Sequence, residues 1–156
     1  MTDAEPTDID AVALQQMLDE RDITSVAVAY TWALDQHRWD DLRDVFAADA
    51  TATLGNPDPL VGIDAIIGRI RAALEPLDDS QHLVGNHQVT IDGDTATHRC
   101  YLHAQHIRHV ANGDPHYIVA GRYEDDLARV SDGWRIIHRN LHVMWTDGNP
   151  AVVRPD

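Results

Sequence analysis

The chain predicts an α+β domain in which N-terminal helices pack on the concave face of a strongly curved antiparallel sheet. Two observations carry this. Up to Leu74 the apolar residues recur at steps of three and four, the helical period, whereas from Gln81 onward the pattern changes to long strands. In addition, Asp92-Gly93, Asn112-Gly113 and Asp132-Gly133 supply the positive backbone angles that tight hairpins need. Helices followed by an antiparallel meander define the class.

The elements come in this order. Residues 1–8 read as an acidic, flexible lead, with Asp8 placed to cap a short helix. Ile9, Val12, Ala13, Met17 and Leu18 form the apolar stripe of that helix. The polar patch Asp19–Asp22 then leads into Val26–Asp35, VAVAYTWALD. That stretch has no polar face, which predicts a helix buried all round. Yet it carries Tyr30 and ends on Asp35, and burying a phenol and a carboxylate is costly without compensation. The pattern points to a polar network or a pocket. A third helix is expected over Trp39–Ala47, a short strand over Ala50–Leu54, and a helix striped by Ile63, Ile66, Ile67, Ile70, Ala73 and Leu74. Four strands are expected near 82–91, 94–110, 116–130 and 134–146. No repeat or linker divides the 156 residues, so a single domain spanning 1–156 is expected.

Composition narrows the function classes. Twelve basic against 26 acidic residues give a formal net charge of -14, a field that repels phosphate backbones and anionic membranes. Neither nucleic acid nor membrane is an expected partner. The single cysteine, Cys100, forms no internal disulfide and fits a reducing compartment. The N-terminus lacks a basic region followed by an apolar core, and no apolar run nears the roughly 20 residues that span a bilayer. A cytoplasmic location is expected.

Alternation in the strand 94–110 sorts its side chains. Ala96, His98, Cys100, Leu102, Ala104 and His106 share the smaller, more apolar face, which is assigned to the concave side. Leu102, Ala104 and Cys100 are the expected substrate-contacting wall, and His106 rather than His103 the expected pocket histidine. A regular strand would turn His82 and His87 to opposite faces. Cys100 reads as a small buried hydrophobe, not a nucleophile. The ten histidines form no HxxxH pair, no HxH pair on the buried face and no site with cysteines, so no metal site is expected. No GxGxxG, P-loop or GxSxG is present, and no cofactor is expected.

Several motifs together resemble the SnoaL-like branch of the nuclear transport factor 2-like, cystatin-like superfamily. They are Tyr30-xxxx-Asp35, Trp39-xx-Leu42-xxx-Phe46, Asp49-Ala50, His82, Asp92-Gly93-Asp94-Thr95-Ala96, Gly121-Arg122-Tyr123 and Gly133-Trp134-Arg135-Ile136. The resemblance implies a cone-shaped fold around a cavity and a homodimer or homotrimer. It also implies an activity drawn from a mixed set that includes dehydratases, polyketide cyclases, isomerases, a dehydrochlorinase and plain binding modules. The dehydratases and the dehydrochlorinase use an Asp near the end of the buried helix and a His at the start of a long strand, positions matched by Asp35 and His82. Tyr30 matches a pocket tyrosine of the dehydratases, and His106 the strand histidine of scytalone dehydratase. Ala104 stands where the bile-acid dehydratase has a carboxylate, so that enzyme's substrate is not implied.

From the residues alone, Asp35 caps a turn and His82 is an ordinary surface side chain, or the two form a dyad that abstracts a proton. Tyr30 is a core tyrosine or a hydrogen-bond donor to an oxyanion or a leaving hydroxyl. On an ideal helix Tyr30 and Asp35 are roughly 140° apart, so they share a pocket only if Asp35 swings inward at the helix end. The expected function is a cofactor-independent lyase or isomerase, foremost a dehydratase, acting on a small hydrophobic oxygenated molecule such as a polyketide, terpenoid or steroid-like compound. An aldol-type cyclase and a non-catalytic binding module are the alternatives.

Overall fold

The structure is a computed structural model that describes residues 11–109 and 111–154; the acidic lead and the Asp8 cap lie outside them. The first departure from expectation is in the helices. One helix, α1 (Ala11–Asp35), runs 25 residues straight through the polar patch. It continues because Asp19 is not a break but a buried anchor. Its carboxylate accepts Arg129 Nη1 and Nη2, each at 2.7 Å, and Trp134 Nε1 at 3.1 Å. The Arg129 guanidinium holds the Asp19 carboxyl down to about 2. Val26–Asp35 is also not buried all round. Ala27, Tyr30, Ala33 and Leu34 face the core, while Val28 and Trp32 are exposed. The run lacks polar letters on both sides, but only one side meets the sheet.

A 3-10 turn at Trp39–Asp44 replaces the third helix, because Phe46 already opens the strand β1 (Phe46–Thr53). The short β2 (Leu60–Val61) and α2 (Ile63–Leu74) come next. Then come the four long strands β3 (Asp79–Asp92), β4 (Thr95–Ile107), β5 (His116–Val130) and β6 (Gly133–Gly148), close to their expected bounds. A last 3-10 turn covers Pro150–Val152. The α+β class stands.

The sheet has six strands in the order β2-β1-β6-β5-β4-β3. Its meander is antiparallel, but β1 pairs with β6 in parallel, so the sheet is mixed rather than wholly antiparallel. The reason is that β1 arrives from the helical half, with no hairpin to force the antiparallel sense. α1 lies along β3 and α2 against β1, and Ile23, Leu34, Phe46, Ile66, Leu102, Leu127 and Ile136 close the core between them.

Three irregularities decide which side chains reach the interior. β3 shifts register between Gly85 and Gln88, where Asn86 takes a positive φ of 56°. The β5–β6 pairing shifts between Ala120 and Gly121 and again between Asp126 and Leu127. Such bulges turn the residues beyond them to the opposite face. At Gly121 the strands approach so closely that a Cβ would run into the His142 carbonyl oxygen.

Candidate active site

α1 and β3 meet where the helix ends. Asp35, the last residue of α1, reaches sideways to the edge strand instead of capping the turn after the helix. Its Oδ1 lies 2.6 Å from His82 Nδ1 and accepts the Ser80 hydroxyl at 3.0 Å, and its Oδ2 accepts the His82 backbone N–H at 2.8 Å. Three donors on one carboxylate favour its charged form. They outweigh the partial burial of Asp35 and hold its carboxyl below the usual range. An ionised Asp35 makes His82 Nδ1 the protonated nitrogen and leaves Nε2 as a bare base.

His82 Nε2 serves the cavity of about 150 Å³ between α1, α2 and the sheet, whose walls include Tyr30, Leu34, His82, Leu102, Ala104, His106, Val119 and Tyr123. His82 is 8% exposed. Opposite it across the β3–β4 ladder stands Ala104, and Ser80 faces His106. The His82 and His106 rings meet edge to face with centroids 5.3 Å apart. Burial, and then the neighbouring His82, push the His106 imidazole down to about 4. His106 Nδ1 lies 3.2 Å from the Tyr117 carbonyl oxygen, to which it donates. His106 is therefore neutral at neutral pH, and its Nε2 is an acceptor rather than an acid.

Tyr30 forms the floor of the cavity. Its ring meets those of Phe46 and Tyr123 edge to face, at 5.9 and 5.6 Å. Its phenol interacts with Tyr123 and Arg139, and burial raises it above the ordinary tyrosine range, so it stays protonated. Tyr30 and Asp35 do not share the cavity wall. Tyr30 and His82 line it, with Asp35 behind the imidazole.

Of the expected site residues, Tyr30, His82, His106, Leu102 and Ala104 come together in one cavity, and Asp35 supports it from behind. His103 is on the outer face beside Trp145. Cys100 is not part of the wall. It is buried further along β4, where burial raises the thiol to about 11, so it is neither a substrate contact nor a nucleophile. His87 does not point away from the His82 side as a regular strand would require. The Asn86 bulge turns it inward, and its Nδ1 lies 3.0 Å from His98 Nε2.

Sequence patterning does not reveal the deepest polar group of the fold. Arg139 is fully buried and donates through Nε and Nη2 to Asp125 Oδ1 and Oδ2 at 2.7 and 2.8 Å. Its guanidinium carbon lies 4.2 Å from the Tyr30 ring centroid and 4.3 Å from that of Tyr123. A cation over two aromatic faces fixes the rings that floor the cavity. Asp125 could have been found, since it falls between Tyr123 and Leu127 on the inward alternation of its strand. Arg139 could not, because a bulge at Ile137 reverses the faces before it.

With this geometry in hand, comparison with known proteins places the fold. A SnoaL-like domain model matches residues 15–140. The chain belongs to the SnoaL-like family. A curated relative, Rv2910c of Mycobacterium tuberculosis, is 33% identical over 133 residues, covering 82% of this chain and 87% of that protein. Among solved structures, the SnoaL-like chain resembles Kfla4162 of Kribbella flavida, with TM-score 0.79, 26% identity and coverage of 85% and 95%. It also resembles an NTF2-like protein with a cystatin-like fold from Novosphingobium aromaticivorans, with TM-score 0.73, 23% identity and coverage of 94% and 96%. The hexachlorocyclohexane dehydrochlorinase LinA type 2 shares the fold at TM-score 0.72, with 14% identity and coverage of 86% and 89%.

Proposed function

We propose that this SnoaL-like protein is a cofactor-independent lyase that dehydrates a small hydrophobic β-hydroxy carbonyl compound. One observation carries the reading: a half-buried carboxylate, Asp35, holds the sole imidazole proton of His82 on the side away from an apolar cavity. His82 Nε2 takes the proton from the carbon beside the carbonyl, and that C–H electron pair becomes the double bond. The C–O bond to the hydroxyl breaks, and the proton on His82 leaves with the hydroxide as water. Asp35 stabilises the imidazolium between the two transfers, the arrangement that lets one histidine serve as base and then acid. His106 Nε2 accepts a hydrogen bond from the substrate hydroxyl and positions it, and Tyr30 stays protonated to donate to developing negative charge.

Volume limits the substrate. A cavity of about 150 Å³ holds a benzene-sized ring. A monocyclic polyketide or terpenoid suits it best. One buried thiol goes with a cytoplasmic setting.

The test is a panel of monocyclic β-hydroxy ketones and lactones, followed for water loss by mass spectrometry. Turnover should appear with the wild type and vanish with His82→Gln, while ligand affinity stays within about tenfold, because the imidazole supplies proton transfer rather than binding. Equal turnover by His82→Gln removes the mechanism. Tight binding without turnover across the panel makes the protein a binding module instead.

A further inference from the structure

Outside the cavity, the interior of the sheet gathers three metal-ligating side chains from two strands. His98 and Cys100 stand two residues apart on the inward face of β4, and the Asn86 bulge turns His87 of β3 toward them. The His87, His98 and Cys100 ligand atoms all lie within 4.8 Å of one another. None of the three lines the cavity, so a role for this cluster does not depend on the dehydratase reading.

We propose that His87, His98 and Cys100 bind a thiophilic cation, Zn²⁺, through His87 Nδ1, His98 Nε2 and Cys100 Sγ. Three features carry the assignment. The first is geometry. Zinc takes nitrogen at about 2.0–2.1 Å and sulfur at about 2.3 Å in a tetrahedron, so its ligand atoms sit roughly 3.3–3.7 Å apart. His87 Nδ1 and His98 Nε2 are 3.0 Å apart and need a shift of a few tenths of an ångström, while Cys100 Sγ, within 4.8 Å of both, closes on the ion by up to about 1 Å. The second is the outer support. His98 Nδ1 donates to Asp125 Oδ2 at 2.9 Å, which leaves Nε2 bare and aimed at His87. Asp125 is in turn clamped by Arg139 through two bonds. A carboxylate behind a ligating histidine is the arrangement that orients metal-bound imidazoles. The third is the donor set. Two imidazoles and one thiol select zinc-like cations over Mg²⁺ and Ca²⁺, which require oxygen ligands.

In the metal-free protein His87 Nδ1 donates to His98 Nε2 and completes the chain from His87 to Arg139. Zinc takes the place of that hydrogen bond: the His87 proton moves to its Nε2, and binding releases the thiol proton. Three protein ligands leave a fourth position on the ion. His87, only partly buried, lies on the side of the cluster nearer the surface.

The test uses the full chain stripped with a chelator and titrated with Co²⁺, whose tetrahedral complexes absorb visibly and whose thiolate bond adds a near-ultraviolet charge-transfer band. One equivalent should produce both signals, and Zn²⁺ should abolish them mole for mole. In competition against a chromophoric chelator, His87→Ala and Cys100→Ser should each weaken Zn²⁺ by at least about tenfold. Asp125→Asn should weaken it by about 10–100-fold, the usual effect of losing an outer-shell partner. His103→Ala, on the outer face, should bind as the wild type does. The proposal is overturned by a titration without the thiolate band, or by Zn²⁺ affinity undiminished in His87→Ala. That variant changes a partly buried bulge residue, so it decides the question even if Cys100→Ser fails to fold.

Discussion

At the scale of single residues, the chemistry of the site depends on which nitrogen carries a proton. Asp35 and the Tyr117 carbonyl each occupy one Nδ1, on His82 and His106, so both Nε2 atoms face inward as acceptors. Only His82 has a carboxylate behind it to stabilise the charge it gains. Asp35→Asn preserves the shape and removes the charge, so kcat should fall by about 10²–10⁴ with ligand affinity little changed. A steady-state assay of that variant on any turned-over substrate checks this. His106 makes a different prediction. Its folded-state value of about 4 lies below the ordinary 6.5, so between these values the unfolded chain binds a proton that the folded chain refuses. Stability should therefore fall as pH drops from 6.5 to 4, and level off for this group below that. Asp35, lowered instead from 3.8, contributes stability that is lost only at more acid pH. Denaturant midpoints measured from pH 4 to 6.5 should fall less steeply for His106→Gln than for the wild type; identical slopes would remove His106 as the cause.

At the scale of elements, bulges separate what is legible in the sequence from what is not. His106, Leu102 and Ala104 are legible because β4 is regular and strict alternation assigns their face. His87 and Arg139 are not, because each lies beyond a bulge, and one extra residue reverses the alternation on which the reading depends. α1 misleads for a related reason. A carboxylate in mid-helix looks like a break until its partner, Arg129, is supplied by a strand 110 residues away. Asp35 and His82 are singled out by family resemblance rather than by periodicity, since the two come from separate elements and meet only across the helix end. Two variants test these devices. Gly121→Ala should cost about 1–3 kcal/mol, since the added carbon meets backbone that cannot swing aside. Arg139→Met should cost about 3–5 kcal/mol, because it takes the cation from the buried Asp125 and leaves only the His98 hydrogen bond. Chemical denaturation of each against the wild type gives both numbers.

At the scale of the whole molecule, no helix among the described residues is long and apolar enough to cross a membrane. The apolar interior opens into a cavity backed by titratable groups, while the outer sheet face carries Leu83, His103, Ala120 and Trp145 in a single cross-strand row. Leu83 is 58% and Trp145 52% exposed, and we propose that copies of the chain associate over this row. Light scattering should give a multiple of 17.4 kDa, reduced to the monomer by Trp145→Asp; a wild-type monomer would contradict it. The central claim is that His82, backed by Asp35, removes a carbon-bound proton inside the cavity. It is tested most directly with a monocyclic ketone that binds there but has no leaving group, incubated in deuterated buffer and followed by NMR. The wild type should exchange the hydrogen beside the carbonyl, Asp35→Asn should do so far more slowly, and His82→Gln should not exceed the buffer rate. Exchange by His82→Gln at the wild-type rate would contradict the claim.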